Sequence, residues 1–121
     1  MSLEALLCPA VTKLEDAFEK QDEDRYISCY APTACYVEVK EKAVYDGPDE
    51  IRALFRSRAT LGNWTTEIKN RRFSGGDALI CYTCTYTIFL ASGGSFTADI
   101  LQYWRRMDGE YLLEVEHSIT A

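Results

Sequence analysis

Ala-Leu-Ile-Cys-Tyr-Thr-Cys-Thr-Tyr-Thr-Ile-Phe-Leu-Ala, residues 78–91, is the stretch of this chain that decides its fold. One alternating set of positions is apolar or aromatic, and the other mixes threonines with Leu79, Cys81 and Phe89. The period of two predicts a long β-strand. A sheet with one face in water shows a cleaner alternation than this. We therefore expect helices on one face and a second copy of the chain, in a homodimer, on the other.

Similar alternating runs lie on both sides of this strand. Glycine-containing turns separate them at residues 74–77, 92–95 and 108–109, and each turn is a hairpin signal. The sequence therefore predicts four consecutive antiparallel strands, at residues 63–73, 78–91, 95–107 and 110–119.

The N-terminal half has helical spacing instead. Apolar residues from Leu3 to Phe18 recur on one side of a helix, although Pro9 suggests that the main helix begins near it after a short helical turn. Asp22 is a candidate N-cap for a second helix, which ends before Pro32. We expect this helix to point the following side chains inward: Tyr26, Ile27 and Tyr30.

A strand and a third helix complete the predicted elements. Residues 34–39 have the composition of a strand, and Asp46-Gly47-Pro48 is a turn with proline near a first helical position. We expect the helix at residues 48–60. Its buried side is predicted to be Ile51, Leu54, Phe55 and Ala59, with Arg52, Arg56 and Arg58 in solvent rather than on phosphate.

Composition excludes several classes of protein. The 121 residues, 47% of them hydrophobic, suit a single domain over residues 1–121. A net charge of -6 with scattered basic residues argues against nucleic-acid binding. No apolar run reaches the roughly 20 residues of a membrane span. An odd number of cysteines, five, suits reduced thiols, so we expect a cytoplasmic protein.

The Cys81-x-x-Cys84 pair is similar in spacing to metal and redox pairs. It lies inside a strand pattern, however, where residues three apart point to opposite faces. With one histidine in the chain and no glycine-rich loop before a helix, we expect neither a metal site nor a cofactor.

The order of these elements resembles the nuclear transport factor 2-like superfamily, and especially its SnoaL-like branch of small stand-alone domains. The resemblance covers nearly the whole chain. Its motifs are Ala17-Phe18-Glu19-Lys20-Gln21-Asp22, Tyr30-Ala31, Tyr45-Asp46-Gly47 with Glu50-Ile51 and Leu54-Phe55, Asp108-Gly109-Glu110-Tyr111, and Glu116-His117-Ser118.

This resemblance implies an α+β, cystatin-like fold, a cone in which three helices pack on a strongly curved, mainly antiparallel sheet. It also implies an apolar pocket at the open end and a homodimer. The superfamily includes ketosteroid isomerase, polyketide cyclases, dehydratases and a kinase association domain, so the fold does not choose the function. Steroid isomerisation is disfavoured, because Leu14 stands where the oxyanion tyrosine is expected and Asp99 does not align with the isomerase's protonated acid.

Glu38 and His117 are the candidate catalytic residues. Residues 30–38 resemble the isomerase segment that ends in its carboxylate base, and a desolvated pocket carboxylate can take a proton next to a carbonyl. Alternatively, Glu38 is an exposed strand residue paired with Lys40 or with an arginine of a neighbouring strand. His117 shares a predicted face with Leu113, and its alternative is a buried histidine satisfied by one hydrogen bond.

Two further sets of residues each have two possible interpretations. Glu114 and Glu116 form either a solvated rim or, with the other sheet register, pocket carboxylates. The aromatic residues are either ordinary core or pocket lining. The candidates for the lining are Tyr26, Tyr30, Tyr36, Tyr82, Tyr86, Tyr103 and Trp104.

Two functions are therefore open. One is a pocket for a small, mostly apolar molecule with cofactor-independent isomerase, cyclase or dehydratase chemistry at Glu38 and His117. The other is a non-enzymatic association module that works through its sheet face.

Overall fold

The computed structural model describes residues 1–120 and confirms the α+β prediction, with three helices against one curved six-stranded sheet. Strand order is β2-β1-β6-β5-β4-β3, and only β1 and β6 run parallel. No helix among the described residues is long and apolar enough to cross a bilayer. The elements are α1 (Leu3–Glu19), α2 (Glu23–Ile27), β1 (Tyr30–Glu38), β2 (Ala43–Asp46), α3 (Gly47–Ala59), β3 (Trp64–Gly76), β4 (Leu79–Leu90), β5 (Ser95–Met107) and β6 (Glu110–Thr120).

Helix α1 passes through Pro9 without interruption, so the expected start near Pro9 is wrong. Its N-cap is Ser2, whose Oγ accepts a hydrogen bond from the Ala5 backbone N–H at 3.1 Å. A proline inside a helix costs about 3 kcal/mol, whereas burying one large aliphatic side chain contributes roughly 1.5–3 kcal/mol. Leu7 and Val11, on either side of Pro9, are both fully buried. Their burial outweighs the proline.

The second helix is shorter than predicted, because the chain is already in β1 at Tyr30. Asp22 caps α2 as expected, and the helix ends at Ile27. Pro32, read as a helix stop, instead lies inside β1 where the pairing with β6 shifts register between Tyr30 and Cys35. A proline is tolerated at such an irregularity because no ladder hydrogen bond needs its missing N–H. The short edge strand β2 was not predicted.

Helix α3 agrees with its prediction to within one residue at each end. Ile51 and Phe55 are buried as expected, while Leu54 and Ala59 are half-buried. Gly47, at the start of the helix, has a φ of 85°, a conformation that favours glycine.

The four predicted antiparallel strands are present, and their ends move by at most three residues. Asp108 and Gly109 join β5 to β6 with φ values of 50° and 82°, as in the type I′ turns that suit hairpins. The apolar set of β4 faces inward, and Ile80, Tyr82 and Cys84 are buried there. The opposite face of the strand is half-exposed, and Phe89 is 41% exposed.

Strand β6 contains a bulge. Trp104 pairs with Leu113, but the preceding residue of β5, Tyr103, pairs with Val115. Glu114 is therefore the extra residue, and the inward-facing set changes from odd to even positions along β6. Leu113 is fully buried in front of the bulge, and Glu116 and Ser118 are buried after it.

We predict that Leu113→Ala lowers the free energy of unfolding by about 2–5 kcal/mol, because it empties a fully buried site in contact with the bulge. Urea denaturation followed by tryptophan fluorescence measures the change. The matched control is Leu61→Ala, at a side chain 48% exposed, where the change should stay within about 0.5 kcal/mol. Equal losses in the two variants would contradict this packing.

Candidate functional site

A cavity of about 700 Å³ lies between the helices and the concave face of the sheet. Its walls are mostly apolar, and its polar side chains come mainly from β1, β6 and the end of α3, with Glu15 on α1 and Gln102 on β5. Tyrosines and tryptophan line it together with carboxylates and one arginine. The principal lining residues are Leu14, Glu15, Phe18, Tyr26, Tyr36, Glu38, Tyr45, Arg58, Trp64, Cys84, Tyr86, Ile88, Ile100, Gln102, Glu116, Ser118 and Thr120.

The structure divides the predicted pocket aromatics. Three of them, Tyr26, Tyr36 and Tyr86, line the cavity. Tyr30 is buried behind Tyr26 and bonds to its hydroxyl at 2.7 Å.

The other three candidates lie outside this cavity. Tyr82 bonds to Glu15 and Arg71, and Trp104 is fully buried in the core. Tyr103 stands opposite Val115 on the convex face and is half-exposed.

Glu38 is buried at the end of β1 and lines the cavity. Its carboxylate accepts hydrogen bonds from Arg58 Nη2 at 3.1 Å and from Thr120 Oγ1 at 2.9 Å. The predicted alternative, an exposed residue paired with Lys40, is wrong. Each carboxylate oxygen keeps a second lone pair, so the group can still bind a ligand.

Arg58 was expected in solvent, and that expectation is wrong. Its side chain leaves the last turn of α3, passes over the Tyr36 ring at 5.3 Å from the centroid, and donates to Tyr36 Oη at 3.1 Å. The ion pair with Glu38 and these two contacts replace the water that the guanidinium loses. The helical period alone cannot reveal this, because an arginine stem reaches several ångströms beyond its own helix face.

For Glu116, the sequence allowed two positions, on a solvated rim or inside the pocket. The bulge at Glu114 turns it inward, where it is 6% exposed and lines the cavity. Oε1 accepts a bond from Tyr30 Oη at 2.7 Å, and Oε2 accepts one from Gln102 Nε2 at 3.2 Å. Burial raises the pKa of Glu116, although the hydrogen bonds from Tyr30 and Gln102 act in the opposite direction. Glu114 pairs instead with Arg105 on the convex side.

The structure does not bring His117 together with Glu38. His117 stands opposite Leu101 and Val37, on the face of the sheet away from the cavity, and is half-exposed. The prediction placed it on one face with Leu113 by counting a period of two through residue 114. The bulge interrupts that alternation. Glu116, not His117, therefore points into the cavity on the same face as Ser118.

Glu15, on α1, is a third cavity carboxylate. Arg71 Nη1 donates to it at 2.9 Å, and Tyr82 Oη donates at 3.0 Å. Burial raises its pKa against the effect of Arg71. Its partner Arg71 lies on β3, far from Glu15 in the sequence. A local sequence pattern cannot predict such a contact.

A protein-family model matches most of this sequence. The model of the SnoaL-like domain matches residues 11–113, from the middle of α1 to Leu113 in β6, and so includes most of the cavity wall but not Glu116. The chain belongs to the SnoaL-like domain family. No curated protein matches it significantly.

Solved structures share the fold of this SnoaL-like domain at low sequence identity. A nuclear transport factor 2-like protein of unknown function from Pseudomonas putida superposes with a TM-score of 0.86 at 13% identity, over 96% of this chain and 84% of the other. A proposed dehydratase of that family from Streptomyces avermitilis gives 0.84 at 15%, over 98% and 97%. A proposed calcium/calmodulin-dependent kinase II association domain from Xanthomonas campestris gives 0.82 at 18%, over 95% and 85%. At these sequence identities, the similarities show only that the fold is shared.

Cys81 and Cys84 occupy different surroundings in the SnoaL-like domain. Cys84 is buried and lines the cavity, whereas Cys81 is half-exposed opposite Tyr103 on the other face of β4. Within residues 1–120, no group of three or more His, Cys, Asp and Glu side chains is placed to hold a metal ion.

We predict that Glu116→Gln stabilises the SnoaL-like domain above pH 4.5. Burial raises the folded-state pKa above that of the unfolded chain, so the wild type loses stability as pH rises from 4.5 through the folded pKa, by at most about 1.4 kcal/mol per pH unit. Glutamine removes this loss and can still bond to Tyr30 and Gln102. Urea denaturation between pH 4 and 8 measures the difference, which should vanish below pH 4.5.

Glu114→Gln is the matched control, since it makes the same change two residues away on the convex face. Its stability should follow that of the wild type across the pH range. A wild-type protein as stable as Glu116→Gln at pH 8 would contradict the assignment of a raised pKa to Glu116.

Proposed function

We propose that this domain binds a small, mostly apolar molecule in the cavity and transfers protons on it without a cofactor, as an isomerase, cyclase or dehydratase. One observation carries the proposal: two buried carboxylates, Glu38 and Glu116, line a mostly apolar cavity from adjacent strands. Glu38 stands opposite Ser118 and Glu116 opposite Tyr36, so the two are diagonal neighbours on one face. Paired carboxyl groups in unlike surroundings are a common basis of acid–base chemistry.

The two carboxyl groups have different parts in the proposal. Burial raises the pKa of Glu116 and so favours its neutral form, which suits a proton donor. Glu38 is paired with Arg58 and suits the base. Glu116 here takes the second catalytic position that the sequence suggested for His117, because His117 lies on the other face of the sheet.

The shape of the cavity supports a ligand with an apolar body. Phe18 stacks on Trp64 with ring centroids 5.0 Å apart, and Ile88 and Ile100 extend the same wall. A volume of about 700 Å³ falls within the range of pockets that enclose a small organic molecule.

A homodimer is part of the proposal. The convex face carries apolar side chains that the chain itself does not cover, including Phe89 at 41% and Ile119 at 51% exposure. Partly exposed Val37, Tyr103 and Val115 lie on the same face, on β1, β5 and β6. An apolar face of this kind favours contact with a second copy.

The second candidate function is an association module that acts through this convex face without chemistry. The half-apolar surface favours it, and the fold likeness to the Xanthomonas campestris association domain is compatible with it. Such a module has no use for carboxylates inside the cavity. Loss of function on changing the convex face, with none on changing Glu38, would favour it.

We predict that Glu38→Gln lowers the rate of proton transfer by roughly 10²-fold, the usual worth of a general base. The assay follows deuterium entry next to the carbonyl of 1-indanone and 2-tetralone in D₂O by NMR, which requires no knowledge of the natural product. Glu114→Gln, on the opposite face, is the control and should keep the wild-type rate. If Glu38→Gln exchanged deuterium at the wild-type rate, the proposed catalytic role of Glu38 would be wrong.

We also expect light scattering to report twice the chain mass of 13.8 kDa at micromolar concentration. The apolar convex face supplies the association energy. A monomer under these conditions would contradict the dimer.

A further inference from the structure

Five side chains behind the cavity form one continuous hydrogen-bonded chain. Tyr26 bonds to Tyr30, Tyr30 to Glu116, Glu116 to Gln102 and Gln102 to Trp104, with separations of 2.7, 2.7, 3.2 and 2.9 Å. All five are buried. Tyr26, Glu116 and Gln102 line the cavity, so both ends of the Tyr26–Tyr30–Glu116 segment meet the ligand space.

Trp104 fixes one end of this chain. An indole N–H only donates, so Gln102 must turn its amide oxygen to Trp104 and its NH₂ group to Glu116. Glu116 Oε2 therefore always accepts a bond. When Glu116 carries a proton, that proton is on Oε1, beside Tyr30. Gln102 and Trp104 are positioning residues for it.

The direction of the two tyrosine hydroxyls then follows from the charge of Glu116. With Glu116 ionised, Tyr30 donates to Glu116 and Tyr26 donates to Tyr30, so Tyr26 has only lone pairs left for a ligand. With Glu116 neutral, Glu116 donates to Tyr30, Tyr30 donates to Tyr26, and the Tyr26 proton is free. Burial raises the pKa of Tyr26 and Tyr30 well above their usual value, so both keep their protons throughout.

We propose that the protonation state of Glu116 sets, through Tyr30, whether Tyr26 offers the cavity a hydrogen-bond donor or an acceptor, and that the ligand is an apolar molecule with a carbonyl group, which binds in the neutral state and is disfavoured in the ionised state. The inference rests on the proposed function for the identity of the cavity as a ligand site and names the ligand class. A ketone oxygen only accepts hydrogen bonds, whereas an alcohol both donates and accepts. The chain therefore discriminates between them only when Glu116 is ionised.

Other groups also face Glu116 from the surrounding elements. They are Tyr36 and Glu38 on β1, Arg58 on α3, and Cys84 and Tyr86 on β4. Burial raises the pKa of Tyr36 and of Cys84 to about 12, so neither changes charge between pH 5 and 9. Glu38 is the neighbouring carboxyl that the experiment must separate from Glu116.

The test compares 1-indanone with 1-indanol, which share a skeleton and differ in the carbonyl. Calorimetric titration of the whole protein at pH values from 5 to 9 measures both affinities. We expect the affinity for 1-indanone to fall about tenfold as Glu116 ionises, the usual effect of losing one buried hydrogen bond, while that for 1-indanol stays constant. A constant affinity for the ketone would overturn the proposal.

Three variants identify the origin of this pH dependence. Glu116→Gln places an NH₂ donor beside Tyr30 and locks the chain in its neutral direction, so the ketone should bind with the low-pH affinity at every pH. Tyr30→Phe interrupts the chain, so the pH dependence should disappear. If it persists in Tyr30→Phe, the charge of Glu116 acts directly and the relay is wrong. In Glu38→Gln the dependence should remain.

Tyr82→Phe is the matched control, because it removes a buried tyrosine hydroxyl that bonds to another carboxylate, Glu15. It should keep the wild-type pH profile, and losing that profile would assign the effect to Glu15 instead. The binding result is independent of the deuterium exchange assay. If the pH profile is as expected but no deuterium exchange occurs, the hydrogen-bond relay is supported and the proposed enzymatic function is contradicted. If exchange occurs but the affinity for the ketone does not depend on pH, the enzymatic function is supported and the relay is contradicted.

Discussion

Trp104 pairs with Leu113 and Tyr103 pairs with Val115, so β6 holds one residue, Glu114, without a partner on β5. In a regular strand Glu116 would point away from the cavity with Glu114, because side chains alternate. The bulge lets Leu113 fill the core and still brings Glu116, Ser118 and Thr120 to the cavity. Bulges are common beside functional sites for this reason. The polar lining that β6 gives the cavity depends on that one inserted residue.

Most polar side chains of the cavity come from β1, β6 and the end of α3, which supply Glu38, Glu116 and Arg58. Helix α1 and strand β4 supply apolar side chains such as Phe18 and Ile88, and α1 also supplies Glu15, whose carboxylate is paired with Arg71 and Tyr82. A ligand with one polar end is favoured in the orientation that places this end beside Glu38 and Glu116, because the reverse orientation places it against the apolar wall. In the proposed reaction, this orientation would hold the reacting atom beside the carboxylates.

The sequence predicts most of the fold, because local periods of two and 3.6 carry it. The long strands and α3 needed only small corrections at their ends. The short edge strand β2 and the start of β1 at Tyr30 depend on pairing with distant segments, and Pro32 suggested the opposite. Glu38 was singled out because residues 30–38 resemble the isomerase segment, and the structure places it in the cavity lining. Glu116 could not be chosen over His117, since the residue that a bulge displaces depends on how β5 and β6 pack around Trp104.

A purely structural role does not account for the carboxyl group of Glu116. A glutamine there would accept the Gln102 bond through its oxygen and donate to Tyr30 through its nitrogen, with the same shape and no buried charge. The carboxyl group instead resists ionisation inside the fold, and that resistance lowers the free energy of unfolding at neutral pH. What glutamic acid has and glutamine lacks is an exchangeable proton on the oxygen. An association module acting through the convex face gains nothing from such a proton, whereas proton transfer in the cavity requires it. The buried carboxyl group therefore favours the enzyme over the module.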